Sequence, residues 1–512
     1  MNSRVTTTRP SSDHGARDLL PRGLLIGVAT LAIVHIGVGL FYKLALGVDL
    51  ETNLGMRPWD WWWQTVSVRL LTTDLLRSLW FLHSQPPLYN LYGAIFFNFF
   101  PQAPLQAMHF ANILLGSLIP GLIAIILWHQ TRNLSLSVAI GAVVALDPGL
   151  ILFEAYILYD LLTVLLVVAG VWALSQLERT GRLRYAAMFG VWLTLLVLVR
   201  SAYHILLIPI GLGLAALAAK RDWKNALLAA TLPCLLAFGW YGKNFMVFGF
   251  FGASSWQGFS VWKVASLNYS PSELATLEAE GTIDRVAAQE EPWGQASVYW
   301  DYGFRETSQI PVLSQDDQHN INIIAAAKAY QRNAIRLIAS DPVKYLRAVW
   351  YSYLIYSIPS AEFKHHIPNA ERIGWPARFV AEVVQGGALE DYLHYPIKSF
   401  YFILVPASVA VYLAQLAWHS LRKRRGVGSF VRAHAVATWM FVLIAYTTLV
   451  GIFLETGENN RERFYIEYLV VVILAVAAYD IVLRVKSSKS KDRVLEAAGP
   501  DANLNNYSSA PT

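Results

Sequence analysis

The sequence has very little cysteine and little charge. Its one cysteine among 512 residues, Cys234, lies in an apolar run, which excludes an internal disulfide framework. Charged residues make up 15% of the chain, whereas hydrophobic residues make up 55% and the mean hydropathy is +0.39. A soluble globule of this length does not need so large an apolar fraction for its core. The composition therefore favours a chain that lies in a lipid bilayer.

Several motifs that mark common activities are also missing. The chain has no glycine fingerprint for dinucleotides, no P-loop, no CxxC and no HExxH, and we find no internal repeat with a period of about 20–50 residues. An enzyme built on this sequence would need a substrate that is activated by something other than a cytosolic nucleotide. The net charge of +6 comes mainly from basic loops between apolar segments, so it does not indicate a nucleic-acid partner.

Apolar runs near the roughly 20 residues that cross a hydrocarbon core recur along the chain. They occupy residues 23–43, 107–128, 134–151, 156–175, 184–199, 202–219, 225–241, 398–418, 432–454 and 465–485. A shorter apolar piece, 88–102, is interpreted as re-entrant or interfacial. The pattern predicts an all-α polytopic membrane protein with about 10–11 transmembrane helices.

Basic residues concentrate on one set of loops and tails. They are found in Arg4–Arg22, at Arg132, and in Arg179–Arg184, Lys220–Lys224, Arg422–Arg425 and Lys486–Arg493. Short loops rich in lysine and arginine stay in the cytoplasm, so both termini are expected there. The remaining connections then share the extracytoplasmic face, namely 44–87, 147–160, 200–201, 242–397 and 455–464.

This division predicts an N-terminal transmembrane block with a first catalytic loop, a mainly helical extracytoplasmic domain, a C-terminal transmembrane block and a disordered cytoplasmic tail. Their bounds are 1–241 with the loop at 44–87, then 242–397, 398–485 and 486–512. Within the domain, apolar periodicity predicts helices over 318–339 and 341–357. The second is opened by the cap and first-turn residues Ser340, Asp341 and Pro342.

The first loop carries an acidic residue among tryptophans. Asp60 lies within Trp59-Asp60-Trp61-Trp62-Trp63. A carboxylate beside large apolar rings is partly desolvated, which raises its basicity and suits a general base. Alternatively, the indoles form an aromatic belt at the membrane interface and Asp60 caps a helix that begins there.

Other polar residues of the same face have two interpretations each. His83, just before Ser84-Gln85-Pro86-Pro87-Leu88-Tyr89, either binds phosphate or is a surface histidine. Asp160 opens the apolar run Leu161–Leu174 and is either a site residue or a solvated helix cap. Arg200 either pairs with a carboxylate or a lipid phosphate, or extends to the membrane boundary alone.

Two basic residues interrupt the charge bias of this face. Lys243, which precedes Asn244, and Arg463 each lie at the outer end of an apolar run, where the positive-inside rule disfavours cations. An anionic lipid head group would offset their charge. For Arg463, the acidic neighbours Glu458 and Glu462 are the structural alternative.

The order of these motifs resembles the glycosyltransferase C superfold, and most closely glycosyltransferase family 39, which includes protein O-mannosyltransferases and the lipid A aminoarabinose transferase. The resemblance extends over about residues 20–485. It is carried by Asp60, Gln64–Leu71, Pro86-Pro87-Leu88-Tyr89, Asp147-Pro148 through Asp160-Leu161-Leu162, Leu198-Val199-Arg200, Gly239-Trp240-Tyr241-Gly242-Lys243-Asn244 with Phe248-Gly249, and Arg463-Phe464-Tyr465. The chain differs from the family pattern at Trp61, where an acidic residue is common, at Gly239, which replaces proline, and at Lys243, which replaces arginine.

The resemblance implies an inverting glycosyltransferase that takes a polyprenyl-phosphate-linked sugar at the outer face of a bacterial inner membrane. It implies that Asp60 deprotonates the acceptor hydroxyl and that Asp160 belongs to the catalytic site. The substrate-binding residues would be His83, Tyr89, Arg200, Lys243, Asn244 and Arg463. We expect no obligatory metal and no cofactor. Membrane lipids are expected partners, and the acceptor can be a glycan, a lipid or a protein.

Two other functional classes stay open at this point. A flippase for lipids or glycans, or another transporter, would place ionisable residues near the bilayer midplane and often shows internal repeats. This chain instead keeps its charges at the ends of its apolar runs. A non-catalytic envelope assembly protein would bind a partner through its extracytoplasmic domain, and Asp60→Asn would then leave cellular glycans unchanged.

Overall fold

The computed structural model describes residues 20–50, 59–386, 399–423 and 426–497. The regular structure in these ranges is helical, and they contain no β-strand. The predicted all-α class is therefore confirmed. The predicted basic clusters at Arg4–Arg22 and Arg422–Arg425 fall partly outside the described residues.

The N-terminal part contains twelve described α-helices. Their bounds are α1 Arg22–Ala45, α2 Val68–Thr73, α3 Leu75–Trp80, α4 Leu88–Phe99, α5 Pro104–Gly116, α6 Leu118–Thr131, α7 Leu134–Ala145, α8 Pro148–Glu154, α9 Asp160–Thr180, α10 Leu183–Val199, α11 Leu207–Ala218 and α12 Trp223–Phe248. The helices that follow are α13 Gln257–Ala265, α14 Pro271–Ala279, α15 Arg285–Gln289, α16 Asn322–Ser340, α17 Pro342–Tyr356, α18 Ile367–Ile373, α19 Trp375–Phe379, α20 Tyr401–Lys423, α21 Val427–Ala433, α22 Ala435–Phe453 and α23 Asn460–Ala497.

Seven helices in the described part of the chain are long and apolar enough to cross a membrane. They are Arg22–Ala45, Pro104–Thr131, Asp160–Thr180, Lys220–Phe248, Tyr401–Leu421, Ala435–Phe453 and Asn460–Lys486. The pair α7 and α8, bent by 50°, would make eight if it forms one span. The protein is thus a polytopic membrane protein. The predicted count of about 10–11 spans is approached only if the short apolar helices α10 and α11 cross as well.

Helix α4 agrees with the interpretation of residues 88–102 as a piece that does not span. Its 12 residues give a length of about 18 Å, whereas the hydrocarbon core is about 30 Å thick. The chain then turns at residues 101–103 and re-enters the apolar bundle as α5.

Two predicted boundaries fall inside helices. Helix α12 continues beyond residue 241 to Phe248 and ends at Gly249, whose φ of 69° suits glycine after the last helical turn. Helix α23 continues to Ala497, so residues 486–497 are helical where the sequence predicts a disordered tail. Residues 498–512 lie outside the described residues.

Residues 242–397, which we call the inserted segment, contain a core of their own within the described part, between Trp256 and Leu337. Helices α13 and α16 contribute most of it, and the largest buried side chains are Trp256, Phe259, Trp262, Tyr299 and Tyr330. Helices α16 and α17 confirm the two helices predicted from periodicity. The predicted cap is also confirmed, because the carboxylate of Asp341 accepts a hydrogen bond from the Lys344 amide at 2.9 Å.

Candidate functional site

A buried cluster of charged residues surrounds Asp160, the first residue of α9. Its Oδ1 accepts a hydrogen bond from the Tyr465 hydroxyl and lies 3.6 Å from Nε of Arg461. Among the described residues, its Oδ2 has no hydrogen-bond partner. A buried carboxylate oxygen is costly unless something donates to it. Asp160 therefore presents an acceptor that the described residues do not satisfy.

Arg461 is held by long contacts on three sides. Besides Asp160, its Nη1 lies 3.3 Å from the Tyr156 hydroxyl and 3.5 Å from Oε2 of Glu458. Charge-assisted hydrogen bonds of arginine are normally about 2.7–2.9 Å long. The guanidinium is thus surrounded by acceptors without a close bond to any of them, and it retains capacity to bind another anion.

Arg200, which follows α10, lies in the same cluster. Its Nη2 donates to Oε1 of Glu462 at 2.7 Å, its Nη1 donates to the Tyr159 hydroxyl, and its guanidinium carbon lies 4.5 Å from the centre of the Tyr159 ring. Its Nε has no hydrogen-bond partner among the described residues. Of the two interpretations of Arg200, the structure shows pairing with a carboxylate. We call Asp160, Arg200, Glu458, Arg461, Glu462 and Tyr465 the Asp160 cluster.

Glu458 links this cluster to the inserted segment. Its Oε1 lies 2.6 Å from Nζ of Lys364 and 3.5 Å from Nε2 of His365. Burial acts to raise the pKa of Glu458, but the hydrogen bond from His365 and the charges of Arg461 and Lys364 hold that pKa well below its ordinary value. Glu458 is therefore an anion that joins two parts of the chain.

Aromatic side chains enclose the cluster. Tyr89 stacks on Trp59 with ring centroids 5.4 Å apart and meets Tyr159 edge-on at 5.6 Å. Burial raises the pKa of Tyr89 well above its ordinary value, and the nearby Tyr92 and Asp160 raise it further, so the phenol stays protonated. Its hydroxyl has no hydrogen-bond partner within the described residues. Tyr89 thus has a buried hydroxyl donor whose ring packs against Tyr159, the neighbour of Asp160 in the chain.

Asp60 lies on a turn that directly follows Trp59. Two of the nearby tryptophans point inward, since Trp59 packs on Tyr89 and Trp62 meets Tyr156 edge-on at 5.4 Å, whereas Trp61 and Trp63 are exposed. The Asp60 side chain itself is exposed, and its Oδ1 accepts the Val68 amide at 2.8 Å. The expected partial desolvation of Asp60 is therefore wrong, because the rings around it do not cover the carboxylate. The predicted cap is not found either, because no helix begins at Asp60; its Oδ1 instead contacts Val68, the first residue of α2, whose N-cap is Ser67.

His83, Lys243 and Asn244 form a second group, at the joint between the first loop and the inserted segment. His83 Nε2 lies 2.9 Å from the His319 carbonyl oxygen and its Nδ1 lies 2.8 Å from Ser255 Oγ. Lys243 donates to the Leu82 carbonyl at 2.7 Å, and the Asn244 amide donates to a backbone carbonyl, that of Gly252, at 2.7 Å. All three side chains are buried. The ring of His83 is neither at the surface nor free for phosphate, since both nitrogens already contact the protein.

Arg463 belongs to a third group. Its Nη1 lies 3.0 Å from Oε2 of Glu467, and its other nitrogens donate to the carbonyls of Tyr356 at 3.0 Å and Ile358 at 2.9 Å. Arg461 and Arg463 are two residues apart on α23, so their side chains point about 200° apart around the helix. Arg463 therefore faces away from the Asp160 cluster, and the structure gives the position near Asp160 to Arg461.

Of the predicted site residues, Asp160, Arg200 and Tyr89 meet in one place. The sequence analysis missed Arg461 and Tyr465 as members of the cluster. Their four-residue spacing puts both on one helix face, and the same spacing relates Arg463 and Glu467 on another face. This four-residue spacing in the sequence could have identified both members of each pair. The contact of Lys364 with Glu458 could not have been predicted, because nothing in the sequence near Lys364 indicates its partner.

Helix α9, which begins with Asp160, also lines an apolar cavity of about 690 Å³. Its residue Leu162 is part of the lining, and so is Leu88, the neighbour of Tyr89. The other lining residues come mainly from α1, α4, α5, α6, α9 and α10, with Trp172 and Trp192 as the largest side chains. The charged cluster and the apolar cavity therefore share helix α9.

The pKa of His83 is lowered from 6.5 to about 3, first by burial and then by the nearby His319. Below about pH 6.5 the unfolded chain takes up a proton that folded His83 cannot accept, so stability is full above that pH and falls by about 1.4 kcal/mol per unit below it. We expect His83→Gln to make the unfolding midpoint less sensitive to pH between 5 and 7. Burial also lowers the pKa of His366 to about 3, so His366→Gln should reduce the pH sensitivity of the unfolding midpoint in the same way. Thermal unfolding in detergent at several pH values measures this, and an unchanged slope would contradict it.

The fold and the cluster define an all-α polytopic membrane protein with a buried ionic site. No family model and no curated protein matches the chain. It is similar to the crystal structure of the Archaeoglobus fulgidus oligosaccharyltransferase in the apo form, with a TM-score of 0.42 and 13% identity over 92% of this chain and 52% of that one. It is also similar to the archaeal oligosaccharyltransferase AglB from Archaeoglobus fulgidus in complex with an inhibitory peptide and a dolichol-phosphate, with a TM-score of 0.40 and 14% identity over 94% of this chain and 52% of that one. The chain spans about half the length of these structures.

Proposed function

We propose that the chain is an inverting glycosyltransferase that moves a sugar from a polyprenyl-phosphate donor to an acceptor on the extracytoplasmic face of a bacterial inner membrane. The observation that supports this most is that helix α9 begins with Asp160 of the charged cluster and also lines a large apolar cavity. A lipid-linked sugar phosphate has the same division, with an anionic head and a long apolar chain.

The donor would lie with its chain in the cavity and its phosphate near the two arginines of the cluster. Both Arg200 and Arg461 have an Nε without a hydrogen-bond partner among the described residues. Guanidinium groups bind phosphate oxygens strongly. The cavity, about 690 Å³ in volume, offers apolar contact to a part of the isoprenoid chain.

In the proposed reaction, the acceptor hydroxyl attacks the anomeric carbon of the donor sugar while the bond from that carbon to the phosphate oxygen breaks. Asp60 takes the hydroxyl proton, because its carboxylate is exposed to solvent and accessible to an acceptor. The departing lipid phosphate keeps the bonding electrons, and Arg200 with Arg461 offsets its charge. Asp160 positions Arg461 through the 3.6 Å contact between its Oδ1 and the Arg461 Nε.

Arg200→Ala should weaken binding of the lipid donor by about 10–150-fold, because a charge-assisted contact to phosphate contributes about 1.5–3 kcal/mol. Binding of a fluorescent polyprenyl-phosphate sugar to the protein in nanodiscs measures the loss. Arg332→Ala is the matched control, since that side chain is 58% exposed and 3.6 Å from Asp284. Equal affinity in both variants would place the phosphate site elsewhere.

The proposed sidedness puts the inserted segment outside the cytoplasm. A phosphatase that is active only after export, fused after Ser340, should therefore be active in cells, and the same reporter fused after Arg182 in the basic loop should be inactive. The reverse pattern of activity would refute the topology and move the Asp160 cluster to the cytoplasmic side.

A further inference from the structure

Two large aromatic side chains next to Asp60 are exposed. Trp61 is 43% exposed and Trp63 is 48% exposed. Leaving so much aromatic surface in water forgoes stabilisation that burial would provide. Exposed apolar surface beside polar groups often marks a place where something binds.

Trp63 packs against the inserted segment. Its ring is stacked in parallel on that of Trp293, with centroids 5.7 Å apart and an angle of 2° between the planes. Trp293 in turn contacts Trp256 and Phe259 of the segment's core, at 4.9 and 5.2 Å. The Trp63 ring therefore lies on Trp293, which in turn packs on Trp256 and Phe259. The other face of the Trp63 ring is directed away from the core.

The backbone at Trp293 is in an unusual conformation. Its φ is 79°, in the left-handed region that bulky residues rarely adopt because of contacts with the preceding carbonyl. Such conformations persist where the surrounding structure requires them, and they concentrate at functional sites. At this position the consequence is a tryptophan ring placed directly under Trp63.

An aromatic belt in the membrane interface explains this arrangement less well than a binding surface does. Belt tryptophans extend from the ends of spanning helices toward lipid. Trp63 instead contacts a residue of the inserted segment, and four residues later Ser67 accepts a hydrogen bond from Gln315 of the same segment at 3.3 Å. The two exposed rings thus lie where two polar parts of the chain meet.

We propose that Trp61, Trp63 and Trp293 form an aromatic platform that binds the sugar rings of a glycan acceptor. The inference rests on the proposed function and narrows its acceptor to a carbohydrate. The face of an indole carries negative charge density, which attracts the C–H groups on the flat side of a sugar ring.

The platform can be tested without the donor. The full-length protein in nanodiscs is titrated against hexasaccharides of β1,4-glucose, β1,4-mannose and α1,4-glucose that carry a fluorescent label at the reducing end, and anisotropy reports binding. We expect at least one of them to bind, and Trp63→Ala to weaken it at least about tenfold, or about 1.4 kcal/mol. Trp300→Ala is the matched control, because Trp300 is also 43% exposed on the inserted segment, and it should bind like the wild type.

The platform is refuted if none of the three hexasaccharides binds the wild type, or if Trp63→Ala and Trp300→Ala bind alike. Nanodiscs with lipids brominated near the head group test the membrane alternative. If quenching of tryptophan fluorescence is smaller in Trp63→Ala but unchanged in Trp300→Ala, Trp63 lies in lipid. That result would also refute the aromatic platform. Failure of the proposed function looks different, because hexasaccharide binding would then persist in a protein that transfers no sugar.

Discussion

Asp60→Asn is expected to reduce sugar transfer by at least about 100-fold, since general-base catalysis typically contributes about 10²–10⁴-fold and an amide cannot accept a proton near neutral pH. The fold should be preserved. Asp60 Oδ1 accepts the Val68 amide at 2.8 Å, and the oxygen of asparagine can do the same. Exchange of these two residues at a cap changes stability by less than about 1 kcal/mol. A purely structural Asp60 would therefore leave activity nearly intact.

The measurement is transfer of a labelled sugar from a polyprenyl-phosphate donor in proteoliposomes, with thermal unfolding as a check on the fold. Asp74→Asn is the matched control, because Asp74 lies in the same loop, precedes α3 and makes no side-chain capping bond. It should transfer sugar at close to the wild-type rate. If well-folded Asp60→Asn keeps more than about a tenth of the wild-type rate, Asp60 is not the base and Asp160 becomes the first candidate.

Much of the helical architecture could be predicted from local patterns. Apolar length marked the spanning helices, and the cap residues before α17 marked its start. Helix ends predicted from a change in composition were less accurate. A helix continues while its backbone hydrogen bonds are satisfied, even where its residues become polar. Helix α12 thus passes through Lys243 and Asn244 and ends only at Gly249.

The site was only partly predictable, for a different reason. Asp160 and Arg200 were identified because each lies at the end of an apolar run, and Tyr89 because the resemblance points to it. Which of them pair depends on long-range packing, as in the 262-residue separation between Arg200 and Glu462. The role of His83 was missed for the same reason, since its partner His319 is 236 residues away.

The choice between Arg461 and Arg463 shows what sequence order alone could not decide. Both lie in the first turn of α23, and the resemblance pointed to the second. Their contacts differ in kind: Arg461 has distances of 3.3–3.6 Å to its neighbours, whereas Arg463 has three contacts of 2.9–3.0 Å. Short, complete bonding indicates a structural arginine, and long contacts indicate one that can bind a ligand.

Arg463→Ala is therefore expected to destabilise the protein by about 3–5 kcal/mol, because it breaks a buried ion pair by removing one partner. The variant would leave Glu467 buried with only Tyr401 and Gln385 as donors. It would also leave the carbonyls of Tyr356 and Ile358 without the guanidinium. Denaturant unfolding in micelles measures the loss.

The control for this prediction is again Arg332→Ala, which removes an exposed arginine and should change stability by less than about 0.5 kcal/mol. Donor binding by the folded fraction separates the two roles. A structural Arg463 predicts a less stable protein whose folded molecules bind the polyprenyl-phosphate sugar with unchanged affinity, because the guanidinium faces Glu467 and not the Asp160 cluster. If Arg463→Ala unfolds like the wild type but binds the donor more than about tenfold more weakly, its contact with phosphate exceeds its structural role, and α23 must rotate or shift to bring it there.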